Sequence, residues 1–430
     1  NVPSKSFGEL VEAKRHTPSL SAQEVQALLD EKADVVVLDA RRFDEYQTMN
    51  IPGSISVPGA ELVLRARELA PDPATRVIVN CAGRTRSIIG TQSLVNAGLP
   101  NPVAALRNGT IGWTLAGQSL SKGASRRFPD SIDAAHHEAA HTAATRVAKK
   151  AGVTWITPQT LASWRADAAR TTYCFDVRTP EEYAAGHRQG FRSAPGGQLV
   201  QETDVHAPVR GARIVLTDDD GVRAAMTGSW LAQMGWEVAI VADETITGNT
   251  ARSMATAHSS DIETGPDQSP QPEPPAAQTV SPATLADWLA AGKVAVVDVT
   301  ASANYVKHHV PGAWFAVRSQ LEDALKAIGP VERLVFTCGT SLLARFAAQD
   351  ARAWTSAEVH VLEGGTTAWM AAGLPVESGE TRLASARIDR YRRPYEGTDS
   401  PAAAMQAYLD WEYGLVDQLA RDGTHHFTVV

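Results

Sequence analysis

The sequence predicts an α/β fold in which one sheet-and-helix unit is used three times. Each copy is a mainly parallel sheet with helices on both faces, and a helical tail follows at the C-terminus. Three observations carry this expectation. An apolar run ending in aspartate occurs as Val35-Val-Val-Leu-Asp39, Tyr173-Cys-Phe-Asp176 and Val294-Ala-Val-Val-Asp298, the pattern of a buried strand running into a loop. A second run follows in register as Arg76-Val-Ile-Val-Asn-Cys81, Arg213-Ile-Val-Leu-Thr-Asp218 and Arg333-Leu-Val-Phe-Thr-Cys338, ending 42, 42 and 40 positions after the aspartate. Each second run then gives way to a helical pattern and another short apolar run, such as Val359-His-Val-Leu362. Strands alternating with helices call for a parallel sheet covered on both sides, and a repeat fixes which residues are comparable.

In chain order, residues 1–17 read as an irregular lead segment of Pro, Ser and Gly, opening at Asn1 without a methionine and so compatible with a missing upstream portion. The first copy occupies 18–122, with Glu45-Tyr46 and Ile51-Pro-Gly53 between its two runs. The second, 157–250, places Glu182-Tyr183 and Gly186-His187 there, and the third, 281–380, places Asn304-Tyr305 and His309-Val-Pro-Gly312. Residues 123–156 join the first two copies, and their alanine-rich part, 130–151, predicts a connecting helix. Residues 251–280 include Gly265-Pro-Asp-Gln-Ser-Pro-Gln-Pro-Glu-Pro-Pro275, whose proline density predicts an extended, semi-rigid linker. In the tail, 381–430, Met405, Tyr408, Leu409, Trp411, Leu415, Val416 and Leu419 fall at helical spacing, an apolar stripe expected to dock onto the body of the protein.

A hydrophobic content of 43% with 20% charged residues is that of a soluble globular protein. A net charge of −8 argues against a polyanion-binding surface, so nucleic acid is not an expected partner. With no run of 18 apolar residues and no leader-like start, neither membrane insertion nor export is expected, and the expected location is cytoplasmic. Three cysteines spread along 430 residues make no disulfide framework and are read as individual thiols.

Cys81 is the most informative of them. It ends a strand and opens the loop Cys81-Ala-Gly-Arg-Thr-Arg-Ser87 ahead of a helical pattern. A thiol at a helix N-terminus, ringed by backbone N–H groups and guanidinium, is expected to ionise more readily and to act as a nucleophile near neutral pH.

Order and spacing of these pieces resemble the rhodanese family of sulfurtransferases over all three copies. The first is the closest match, with Asp39-Ala-Arg41, Glu45-Tyr46, Ile51-Pro-Gly53, Val57-Pro58, the Cys81 loop, and Leu106-Arg-Asn-Gly109 followed by Trp113; the third repeats Leu362-Glu-Gly-Gly365 and Trp369. The resemblance implies three tandem rhodanese-like domains, each with a five-stranded sheet. It also implies that Cys81 takes a sulfane sulfur from a donor such as thiosulfate and passes it, as a persulfide, to cyanide or a thiol. Ala82, Gly83, Arg84, Thr85, Arg86 and Ser87 would bind substrate through amides and guanidinium, Arg86 more than Arg84, with Asp39 and Arg41 in support. No cofactor or metal is implied. Four residues separate Cys81 from Arg86, as in sulfur-transferring members, whereas phosphatases of this fold have five; phosphatase activity is therefore the weaker enzyme alternative. A sulfur relay or persulfide sensor that hands sulfur to a protein partner is the alternative outside simple turnover. Other persulfides remain open as donors, and the oligomeric state is left open.

The sibling loops depart from the pattern. In the second copy Asp218 stands in register with Cys81, within Asp218-Asp-Asp-Gly-Val-Arg223, and a carboxylate cannot carry sulfane sulfur. That copy is expected to be silent and to shape its neighbour's pocket. In the third, Cys338 is a possible second thiol, but Leu343 replaces the arginine and Thr300 stands where the others have Arg41 and Arg178, so it is expected to be inactive. Cys174, beside Phe175 in a strand, reads as core. His137-Glu-Ala-Ala-His141 fits a zinc-protease pattern but lacks a third ligand and lies outside every copy.

Overall fold

The structure is a computed structural model that describes residues 2–241, 262–268, 272–390, 393–397 and 400–430. Much of the expected proline-rich linker, residues 251–261 and 269–271, lies outside the described residues, as do 242–250 at the end of the second copy.

Three five-stranded sheets are present, each with all its pairings parallel. The first joins β1 (Ser19–Leu20), β2 (Val35–Asp39), β3 (Ile55–Ser56), β4 (Arg76–Asn80) and β5 (Val103–Leu106) in the order β1-β5-β4-β2-β3. The second joins β6 (Thr154–Ile156), β7 (Thr172–Asp176), β9 (Arg192–Ser193), β10 (Arg213–Thr217) and β11 (Glu237–Val241) as β6-β11-β10-β7-β9. Between them in chain order, β8 (His187–Arg188) pairs antiparallel with β12 (Ile262–Glu263). The third sheet repeats the order with β13 (Thr279–Val280), β14 (Val294–Asp298), β15 (Trp314–Phe315), β16 (Arg333–Thr337) and β17 (Glu358–Leu362), as β13-β17-β16-β14-β15.

The register explains why the aspartate recurs. Asp39 pairs with Asn80, Asp176 with Thr217 and Asp298 with Thr337, so each aspartate lies beside the residue that precedes the loop. All three carboxylates are fully buried, and burying a charge is costly unless it is paired. Asp39 and Asp176 are answered by bidentate arginines: Arg41 Nε and Nη2 lie 2.9 and 2.8 Å from Asp39, and Arg178 does the same for Asp176. Among the described residues Asp298 has only the Thr300 backbone N–H, at 2.9 Å, and its Oδ2 has no partner.

The described chain divides into two compact units, residues 1–269 with 394–430, and residues 270–393. The first two copies therefore share one core, in which Leu38, Val79 and Leu94 pack with Ile214, Met226 and Trp230. The helix Ala134–Lys150, capped by Asp133, contributes Ala140, Ala143, Ala144 and Val147 to that core. No helix among the described residues is long and apolar enough to cross a membrane.

The lead segment departs from expectation. The expected irregular segment is a helix over most of its length: Val2–Arg15 are helical with Phe7 and Val11 fully buried, and Phe7 packs edge-on against Trp230 and Phe427. Its Pro, Ser and Gly content obscured a helix that tertiary packing supports. Gly8 has a specific reason to be there, since a Cβ would lie 2.9 Å from Thr85 Cγ2; the helix needs a side-chain-free surface to press on the Cys81 loop. At the other end of the chain, the helix Ala402–Tyr413 buries Met405, Tyr408 and Leu409 against Ile111.

Candidate active site

Cys81 ends β4 and is 2% exposed, at the mouth of the helix Thr85–Ala97. Among the described residues none of the backbone N–H groups of Ala82 through Ser87 has an acceptor, which leaves them able to bind an anion at a helix N-terminus. The Cys81 Sγ lies 3.4 Å from Ser87 Oγ, which itself donates to the Arg84 carbonyl at 2.8 Å. From behind, the N-terminus of the helix Gly109–Leu115 clamps the loop: Thr110 N–H donates to the Cys81 carbonyl at 2.9 Å and Ile111 N–H to that of Ala82 at 3.0 Å. Gly109, at φ +53, is required here because a Cβ would lie 2.2 Å from the Cys81 oxygen. Gly365 stands in the same relation to Cys338.

Both loop arginines are held by carboxylates. Arg86 donates both terminal nitrogens to Glu45, at 2.7 and 2.8 Å. Burial pushes the Glu45 carboxyl up, but Arg86, with Arg41 behind it, outweighs burial and brings it down to about 2. Burial likewise works against the Arg86 charge, and Glu45 and Cys81 together hold it above the usual arginine value. Arg84 is engaged by carboxylates and an amide: its Nε and Nη2 bind Glu9 at 2.8 and 2.7 Å, Nη2 also meets Glu12, and Nη1 lies 3.2 Å from Asn108. It ties the loop to the N-terminal helix, a different task from the donor contact expected for it. Asp39 and Arg41 form a buried brace beneath the loop, to which Asn80 adds a bond at 2.9 Å.

The pocket beside Cys81 is completed by residues from outside the first copy: Lys5, Gln201, Tyr395 and Tyr408. Lys5 Nζ donates to Tyr408 Oη and, at 2.9 Å, to Glu412. The second carboxylate oxygen of Glu412 is buried without a partner, and it would lie 3.2 Å from a Cβ at Gly83. Sequence reading missed all five of these residues, because nothing local marks a lysine near one terminus and a glutamate near the other as neighbours.

The second copy fills its own cradle. Asp218 accepts from Gly221 N–H at 3.1 Å and Ala224 N–H at 2.7 Å, while Asp220 accepts from Val222 and Arg223 N–H at 2.6 and 3.0 Å. Burial and the adjacent Asp220 raise the Asp218 carboxyl well above its ordinary value. Arg223 reaches across to Glu61 of the first copy at 2.8 Å. In the third copy Cys338 is buried, Leu343 is exposed, and Ser341 takes φ +74. Cys174 lies in β7, where burial lifts its thiol to about 11. His137 and His141 stack in the connecting helix, and among the described residues no three His, Cys, Asp or Glu side chains are grouped to hold a metal.

Comparison with known proteins bears on the fold and the family. The rhodanese-like domain model matches residues 21–116 and 281–372, the first and third copies. A crystal structure of thiosulfate sulfurtransferase from Pseudomonas aeruginosa superposes with a TM-score of 0.93 and 64% identity, covering 100% of this chain and 79% of that one. Among curated proteins, the HTH-type transcriptional regulator Rv0324 of Mycobacterium tuberculosis is 32% identical over 94 residues, 22% of this chain and 41% of that protein's length.

Proposed function

The chain belongs to the rhodanese family of sulfurtransferases, and from that premise we propose that it moves a sulfane sulfur from thiosulfate or a related donor to cyanide or a thiol through a Cys81 persulfide. In the first step the Cys81 thiolate attacks the outer sulfur of thiosulfate, the donor's S–S bond breaks, and sulfite leaves with the electron pair. In the second, cyanide attacks the outer sulfur of the persulfide, the new S–S bond breaks, and Cys81 leaves as thiolate while thiocyanate departs. The protein's part is to hold anions at the sulfur in both steps.

One observation carries this reading: the amides of Ala82 through Ser87 follow a buried thiol in one short loop and have no acceptor among the described residues. Arg86 adds a permanent positive charge beside the sulfur, fixed in place by Glu45. The second copy supports the same interpretation, because there the chain places its own carboxylates on the corresponding amides. The test is thiocyanate formation from thiosulfate and cyanide, with mass analysis of Cys81 for an added sulfur atom. Activity that survives Cys81→Ser would refute the assignment.

A further inference from the structure

We propose that Lys5 binds the anionic end of the sulfur donor, and that the two chain termini together build this donor subsite around Cys81. The proposal rests on the sulfurtransferase reading and adds to it the residue that selects an oxyanion donor.

Lys5 lies in the helix Val2–Arg15, outside all three copies, yet it is 5% exposed and lines the same pocket as Cys81. An ammonium has three N–H donors. Two are used, by Tyr408 and Glu412, and the third has no acceptor among the described residues. A buried donor left unfilled is costly, and an oxygen of a bound oxyanion would fill it. Among the neighbouring cations, Arg84 is committed to Glu9, Glu12 and Asn108, while Arg86 gives two of its five N–H donors to Glu45. Lys5 is further fixed over the Tyr408 and Tyr395 rings, 4.8 and 5.5 Å from their centroids. Its position is therefore set before substrate arrives, which reduces the ordering cost of binding.

The walls bear on donor class. The free space in this pocket is about 10 Å³, enough for about one water. A compact oxyanion such as thiosulfate therefore needs the least displacement of the Tyr395 and Tyr408 walls. A peptide-sized persulfide would need the whole Ala402–Tyr413 helix to lift. In the transfer step Lys5 holds the oxygens of the group that leaves as sulfite, and so stabilises the charge that develops there. Tyr408 and Glu412 act through Lys5 and are positioning residues.

The experiment compares thiosulfate with a small neutral donor, 2-hydroxyethyl persulfide, in the full chain, reading kcat/KM for each and sulfur addition to Cys81 by mass. Lys5→Met is expected to lower the ratio of thiosulfate to neutral-donor kcat/KM by about tenfold or more, the usual worth of a charged hydrogen bond. Glu412→Gln keeps a hydrogen-bonding side chain but removes the carboxylate facing the loop, and is expected to raise the same ratio severalfold. Opposite signs in the two variants distinguish donor binding from a structural role, and Glu412→Gln remains informative if Lys5→Met does not fold. An unchanged ratio in both, or a shift of the same sign in both, overturns the proposal. Wild-type protein whose Cys81 gains sulfur from neither donor would instead refute the sulfurtransferase reading beneath it.

Discussion

The loops 81–87 and 218–224 occupy the same register of the same sheet order, and they differ in who supplies the anion. Both sit above a buried aspartate–arginine brace, and both have their arginine clasped by a glutamate, Arg86 by Glu45 and Arg223 by Glu182. In the second loop the amides of Gly221, Val222, Arg223 and Ala224 are taken by Asp218 and Asp220. In the first, the corresponding amides of Arg84, Thr85, Arg86 and Ser87 have no acceptor among the described residues. An anion cradle is a conserved consequence of the strand–loop–helix geometry here, and its chemistry depends on whether the chain fills it. The third loop marks a different departure: it keeps a cysteine but has lost both the arginine clasp and the brace.

The sharpest break between the loops is expected at the sulfur. Cys81→Ser should abolish thiocyanate formation, while Cys338→Ser leaves it within assay error; residual activity in the first variant, or a large loss in the second, would remove the distinction between copies.

Next in size is the brace. Burial lifts the Asp298 carboxyl to about 7, because no arginine answers it. A pKa raised in the folded state gives a contribution that is fully present below the unfolded value near 3.8 and is lost as pH rises through 7, on the order of 4 kcal/mol in all. Urea melts of residues 270–393 within the full chain should therefore weaken between pH 5 and 8, and Asp298→Asn should flatten that slope and stabilise the unit at pH 8. A flat wild-type profile would contradict this account.

Transplanting the third loop's leucine tests the clasp. Arg86→Leu removes the cation beside Cys81 and is expected to lower kcat/KM for thiosulfate by about a hundredfold. It also leaves Glu45 without its main partner, so a drop in Tm should accompany the kinetic loss. Loss of Tm without loss of kcat/KM would make the clasp purely structural.

The smallest expected effect is a null. Asp218→Cys places a thiol in the second loop, yet Asp220 still occupies the Val222 and Arg223 amides and Arg223 stays committed to Glu61, Glu182, Asp219 and Asp220. No sulfur should be gained at residue 218 by mass, and a clear persulfide there would show that one carboxylate alone silenced the copy.

Much of the site was legible because the chain carries its own internal comparison. Glu45 with Arg86, and Glu182 with Arg223, are present together, whereas the third copy has Asn304 with Leu343 and lacks both. That joint presence and loss signals a contact, and the structure places the first two pairs in direct ion pairs. The same comparison could not reveal that Arg84 faces Glu9 and Glu12, since the N-terminal helix has no counterpart among the copies.

Sequence by itself determined the three parallel sheets, and Cys81 as the thiol of the complete loop. These are short-range facts: apolar periodicity sets strands and helices, and the strand-to-helix turn creates the row of amides. Tertiary structure decided that residues 2–15 are a helix, that the first two copies share a core, and that Lys5, Tyr395, Tyr408 and Glu412 close the pocket. Those outcomes depend on burial across hundreds of residues of chain, where an apolar face or a lone ammonium acquires meaning only from the surface it meets.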